Sequence, residues 1–176
     1  LGATVTGWEI MEYHGADLTT AYSIPTTFTS GPTTHDVISL GREAYYNTVV
    51  AATNTLNLTN SYLINIGPNA FYNMEGLNTF TGSVLTTIGT RAFMNTTVTV
   101  ASFPQLNNMA TEAFSNAQVL YKIDLGKVKT MGAYAISNAD KLSQVFFTGT
   151  DLNLNFAADA ISDVGSLTNN RIRFYT

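Results

Sequence analysis

The chain of 176 residues is long enough to bury one ordinary core, and with 45% hydrophobic against 11% charged residues it does not have the composition of a disordered segment. Its formal charge of −4 is uneven, six acids against Arg42 alone over residues 1–90 and six acids against seven bases over residues 91–176, which leaves no basic stripe of the kind a nucleic-acid partner requires. The lack of cysteine excludes disulfides, thiolate metal sites and a cysteine nucleophile, and no run approaches the ~20 apolar residues that cross a bilayer, so no membrane insertion is expected in this segment.

In chain order, the start at Leu1 without a charged-then-apolar leader reads as a soluble piece of a longer protein. The only histidines, His14 and His35, come next. Neither has the i, i+4 partner or acid cluster of a metal site. His35 and Asp36 near Ser30 lack an oxyanion loop and a nucleophile elbow, so no catalytic residue, metal or cofactor is expected.

From residue 40 a motif recurs: LGREAYYN at 40–47, IGPNAFYN at 66–73, IGTRAFMN at 88–95, MATEAFSN at 109–116, MGAYAISN at 131–138 and FAADAISD at 156–163. The central alanines Ala44, Ala70, Ala92, Ala113, Ala135 and Ala160 are 26, 22, 21, 22 and 25 residues apart, the spacing of stacked coils. The leading apolar residue would end a short strand with its side chain inward, and the following Gly would let the chain leave sharply. Ala would allow close coil packing, and Tyr45, Phe71, Phe93, Phe114, Ile136 and Ile161 would fill the interior. The closing Asn or Asp would bond backbone groups left open by a helical or short 3₁₀ turn. A second apolar stretch after each motif, such as Leu120 with Ile123 and Leu125, predicts a second strand per coil. Repetition in all copies makes the motif structural, and function then belongs to the faces it leaves outside.

These six copies resemble the BspA-like bacterial leucine-rich repeats, whose repeat contains an I-G-x-x-A-F-x-x-C core; the chain has no cysteine at that place in any copy. The alternating Trp8, Ile10 and Tyr13, with Gly15 and Ile24-Pro25, resemble the strand-rich opening of such domains. The fold expected is therefore a leucine-rich repeat solenoid, β-rich and right-handed, of six coils over residues 37–176 with an N-terminal strand-rich cap over 1–36. The resemblance implies a non-catalytic adhesin domain on the bacterial cell surface, extracellular and part of a longer exported protein. Its partner would be a host extracellular matrix or cell-surface protein. A spacer presenting a neighbouring domain, or a module binding mucin or another glycan, are the alternatives.

In leucine-rich repeats the strand after the bend lines the concave face, with side chains alternating in and out. The outward pairs expected are Thr55 and Asn57, Thr79 and Thr81, Ser102 and Pro104, Lys122 and Asp124, Gln144 and Phe146, and Arg171 and Arg173. Lys122, Asp124, Gln144, Phe146, Arg171 and Arg173 are the candidate ligand residues, Phe146 as an exposed anchor and the arginines as bidentate donors. An ordinary solvated sheet face is the competing reading, as it is for the cluster of Tyr121, Lys122, Lys127 and Lys129. Tyr46, Tyr72 and Met94 would either form an outward stripe or pack between coils. The terminal RIRFYT is expected to be a last strand open to self-association.

Overall fold

The computed structural model describes residues 8–10, 24–50, 56–60, 62–149, 154–165 and 173–175, and among them the chain forms a solenoid of stacked parallel strands without a helix. The residues that lead each motif form one sheet. Its coil strands are β5 (Asn65–Ile66), β7 (Thr87–Ile88), β9 (Asn108–Met109), β11 (Thr130–Met131) and β14 (Asn155–Phe156). The long β3 (Thr33–Leu40) and β1 (Trp8–Ile10) extend this sheet, so a single strand runs through the boundary drawn at residues 36 and 37. β2 (Thr27–Ser30) pairs antiparallel with β3 across Gly31-Pro32. Gly31 has φ of 60°, as tight hairpin turns require.

The apolar stretches after the motifs form the second sheet, in the spatial order β16 (Arg173–Tyr175), β13 (Gln144–Phe146), β10 (Lys122–Asp124), β8 (Val100–Ser102), β6 (Leu77–Gly82) and β4 (Leu56–Asn60). A third, two-stranded sheet joins β12 (Ile136–Ala139) to β15 (Ile161–Val164), where Ile replaces the motif aromatic.

The turn of each motif is built from β-turns and not from the helical or 3₁₀ segment expected. In the second copy Ala70 N donates to Gly67 O and Met74 N to Phe71 O, closing two turns over Pro68-Asn69 and Tyr72-Asn73. The third residue of each is left-handed, Asn69 at 55° and Asn73 at 54°, as in type II turns. Glu43, Arg91, Glu112 and Tyr134 repeat the first left-handed position, and Asn47, Asn95, Asn116, Asn138 and Asp163 repeat the second. Two left-handed residues within five rule out a right-handed helix. Alternate amides then point to the next coil: Asn69 N donates to Thr90 O, Phe71 N to Ala92 O and Asn73 N to Met94 O.

The motif glycines answer a different need from the sharp departure expected. A Cβ on Gly89 would lie 2.7 Å from the carbonyl carbon of Gly67, and one on Gly67 would lie 2.7 Å from that of Gly41. Backbones of successive coils touch here, and the missing side chain is what permits it.

The interior is two interlocked aromatic columns. Tyr45, Phe71, Phe93 and Phe114 stack at centroid distances of 5.4, 5.0 and 4.6 Å. Phe80 meets Phe71 and Phe93 edge-on at 5.4 and 5.2 Å, and Phe103 follows it at 6.0 Å. The leading Leu40, Ile66, Ile88, Met109 and Met131 and all six motif alanines are buried. In the sixth copy Phe156 and Ile161 are only half-buried.

The coils are also joined by rows of polar side chains. Asn73 Nδ2 donates to Asn47 Oδ1 at 3.0 Å, Asn95 Nδ2 to Asn73 Oδ1 at 2.7 Å and Asn138 Nδ2 to Asn116 Oδ1 at 2.9 Å. The closing asparagines thus bond one another across coils, whereas the sequence reading assigned them to the turn backbone. Ser137 Oγ donates to Ser115 Oγ in the buried continuation of the row that begins with the stacked Tyr46 and Tyr72. Tyr46 is exposed and Tyr72 and Met94 are half-buried, so this aromatic row both stacks between coils and shows a face to solvent.

Candidate ligand surface

The outward residues of the second sheet are set by its register. Phe80, Ala101, Ile123 and Val145 align and are buried, so their neighbours form two outward rows. One row holds Thr79, Val100, Lys122 and Gln144 and the other Thr81, Ser102, Asp124 and Phe146; the backbone register aligns Asn57 and Thr59 of β4 with Thr79 and Thr81, and Arg173 and Tyr175 of β16 with Gln144 and Phe146. This matches the expected alternation in the second, fourth and fifth coils. In the third, Ala101 and not Phe103 aligns with Phe80, and the outward pair is Val100 and Ser102. The small Ala101 leaves core volume that Phe103, buried just beyond the strand, supplies. In the first and last coils the backbone register is two residues from the one expected: Asn57 and not Thr55 aligns with Thr79, and Arg173 and not Arg171 aligns with Gln144. Arg171 and Thr55 lie outside the described residues.

The register brings Lys122, Gln144 and the backbone of Arg173 side by side, with Asp124, Phe146 and Tyr175 beside them. Lys122 Nζ lies 4.8 Å from the centre of the Phe146 ring, in cation–π contact. Phe146 is accordingly half-buried and not the exposed anchor expected. Gln144 Nε2 donates to the Tyr121 hydroxyl at 3.1 Å, holding an aromatic ring that is 48% exposed. Asp124 accepts from Ser102 Oγ at 3.3 Å and from Gly126 N at 3.0 Å, so it closes the bend after its own strand. Lys127 Nζ donates to Gln105 Oε1 at 3.0 Å, away from these rows. What remains for a ligand is a neutral-to-cationic patch of a lysine on an aromatic face, an exposed tyrosine and a primary amide.

Of the two histidines, His14 lies outside the described residues. His35 shares a hydrogen bond with Thr33 Oγ1 at 3.0 Å on the exposed hairpin. Among the described residues no three His, Asp or Glu side chains come together where they could hold a cation.

A solenoid whose coils each give one strand to either of two parallel sheets, with asparagine rows between coils, is a leucine-rich repeat domain. The BspA type leucine rich repeat model matches six copies over residues 38–160, and the chain belongs to that family. No curated protein sequence matches the chain. Among solved structures it resembles a leucine rich cell surface protein from Faecalibacterium prausnitzii A2-165, with 20% identity and a TM-score of 0.63. The alignment covers 89% of this chain and 48% of that one, so the chain spans about half the length of that protein. It also resembles the leucine rich repeat protein of T. pallidum, with 17% identity, a TM-score of 0.51, and 86% and 78% of the two chains covered.

Proposed function

We propose that this repeat domain is a non-catalytic adhesive module of a bacterial cell surface, binding a host matrix or cell-surface protein through the outward rows of the second sheet. The observation that carries the reading is the juxtaposition of Lys122 on Phe146 with Gln144 and Tyr121. An aromatic surface with a cation and an amide on it is the composition of protein-binding anchors, and the first half of the rows, rich in Thr and Asn, offers no comparable cluster. The surface location draws support from the similarity in fold to a protein described as a leucine rich cell surface protein.

The test is binding of the purified domain to immobilised host matrix proteins and mucins, beside a variant carrying Lys122→Ala, Phe146→Ala and Arg173→Ala. Saturable binding that falls at least tenfold in a variant with an unchanged melting transition supports the reading. Binding that survives the triple change puts the ligand on another face. Binding to nothing in the set favours a spacer that only presents a neighbouring domain.

A further inference from the structure

The row of closing residues is interrupted twice, between Asn138 and Asp163 at the last coil and, inside the stack, between Asn95 and Asn116. Asn73 bonds to Asn47, Asn95 to Asn73 and Asn138 to Asn116, but Asn116 and Asn95 share no hydrogen bond. Asn116 is left with an unused Nδ2 donor and Asn95 with an unused Oδ1 acceptor on neighbouring coils. Turning over every amide of the row together would exchange the roles and still leave one donor and one acceptor at the same place.

A pocket of about 370 Å³ lies at this interruption, lined by Asn95, Thr96, Thr97, Asn116, Gln118 and Val119. The origin of the pocket is a difference in chain length. From the closing asparagine to the first outward strand row is six residues in three coils, Asn73 to Thr79, Asn116 to Lys122 and Asn138 to Gln144, but five from Asn95 to Val100. The third coil takes its corner one residue short, so it cannot follow the path of the fourth and a hollow opens between them. Thr96 is drawn into the core, with Oγ1 donating to Phe93 O at 2.9 Å. Thr97 Oγ1 accepts from Gly76 N at 2.8 Å on the opposite neighbour. Gln118 and Val119 of the fourth coil stand exposed over the space.

The chemistry of the lining selects a ligand class. It has no charge, one free donor beside one free acceptor, a third amide in Gln118 and the methyl groups of an exposed valine. Adjacent hydroxyl groups, each donor and acceptor at once, satisfy such a pair, and the C–H face of a sugar ring suits the valine. The volume falls in the range of about 300 to 1,000 Å³ typical of small-ligand sites. We infer that the break in the asparagine row is a binding subsite for one neutral saccharide unit of a glycan, separate from the rows of the second sheet and independent of whether those rows bind protein.

The experiment follows the side-chain amide resonances of Asn95, Asn116 and, as a control, Gln144 by NMR during titration of the ¹⁵N-labelled domain. The probes are glucose, galactose, mannose, fucose, N-acetylglucosamine and N-acetylgalactosamine, with N-acetylneuraminic acid as the anionic comparison. The expected result is a saturable shift of Asn95 and Asn116, but not of Gln144, with at least one neutral sugar at roughly millimolar concentration. Asn116→Asp keeps the acceptor for Asn138 and places at this motif position the residue that coil six already carries there, Asp163 with φ of 48°. It exchanges the free donor for a charged acceptor of the same shape, and the affinity for a neutral sugar should change by about tenfold or more. Val119→Ser, on an exposed side chain, is the second variant and should weaken binding without touching the row. No response to any neutral sugar, a response to the anionic sugar alone, or equal responses in both variants and the native domain overturns the inference.

Discussion

Asn73 performs two tasks that can be separated by substitution. It holds a left-handed conformation, which costs ordinary L-residues about 1–2 kcal/mol, and it sits in the middle of the amide row, donating to Asn47 and accepting from Asn95. Each hydrogen bond contributes about 0.5–1.5 kcal/mol net. Asn73→Gly should lose the bonds and keep the turn, destabilising the domain by about 1–2 kcal/mol, partly through glycine's greater freedom in the unfolded chain. Asn73→Ala should lose both, by about 2–4 kcal/mol. Urea unfolding of the two variants measures the difference; equal losses would mean that backbone handedness contributes nothing. The importance of this residue was legible in the sequence, since Asn or Asp closes all six copies. Its mechanism was not, because a repeat shows that a side chain is required without reporting φ or which coil its amide reaches. The motif glycines carry the same lesson: the residue type was readable, but the constraint at Gly89 comes from Gly67, a whole coil away.

At the scale of the turn, the fourth motif position reads as variable in sequence but is paired in space. Asn69 Nδ2 donates to Glu43 Oε1, Arg91 forms an ion pair with Glu112, and the Tyr134 hydroxyl bonds to Asp159. The residues differ between pairs but complement each other within them, a relation between consecutive coils that aligning the copies with one another hides. The last pair gives a pH dependence. The hydrogen bond to Asp159, and then that carboxylate's charge, raise the Tyr134 pKa above its ordinary 10.0. A group with a raised folded pKa contributes stability in full below its unfolded value and loses it as pH rises through the folded one. Stability should therefore decline on the alkaline side of pH 10.0, beyond the decline of a Tyr134→Phe variant, which lacks the titrating hydroxyl. Urea midpoints for both proteins, taken from neutral pH into that range, check this; parallel curves would remove Tyr134 from the account. Strand register was legible where corners keep a constant length, as for Lys122 and Gln144. It was misread at the third corner, which is one residue short, and at the ends, where longer connections leave the period undefined. The short step of 21 between Ala92 and Ala113 was in the sequence; that it falls between Asn95 and Val100, and so opens the asparagine row, required the strand pairing.

For the whole molecule, stacking is one-dimensional: each described coil touches its neighbours through parallel strands, aromatic columns and amide rows, and these interactions end at the terminal coils. The second sheet makes this concrete. β16 pairs with β13 on one side, β4 pairs with β6 on one side, and among the described residues neither has a partner on its other edge. The two open edges are parallel strands of one sheet, so β16 of one molecule can add to β4 of the next in the sense that already joins every coil. Such head-to-tail contact does not close on itself and builds chains of molecules. β16 carries Arg173 and Tyr175 and β4 carries Asn57 and Thr59, so the junction would meet one charge, that of Arg173. Sedimentation equilibrium of the domain should therefore show an average mass that rises with protein concentration. Tyr175→Lys, which adds a second positive charge beside Arg173 on the edge strand, should return it to the monomer. A mass that stays monomeric across the range would show that these edges do not pair with each other.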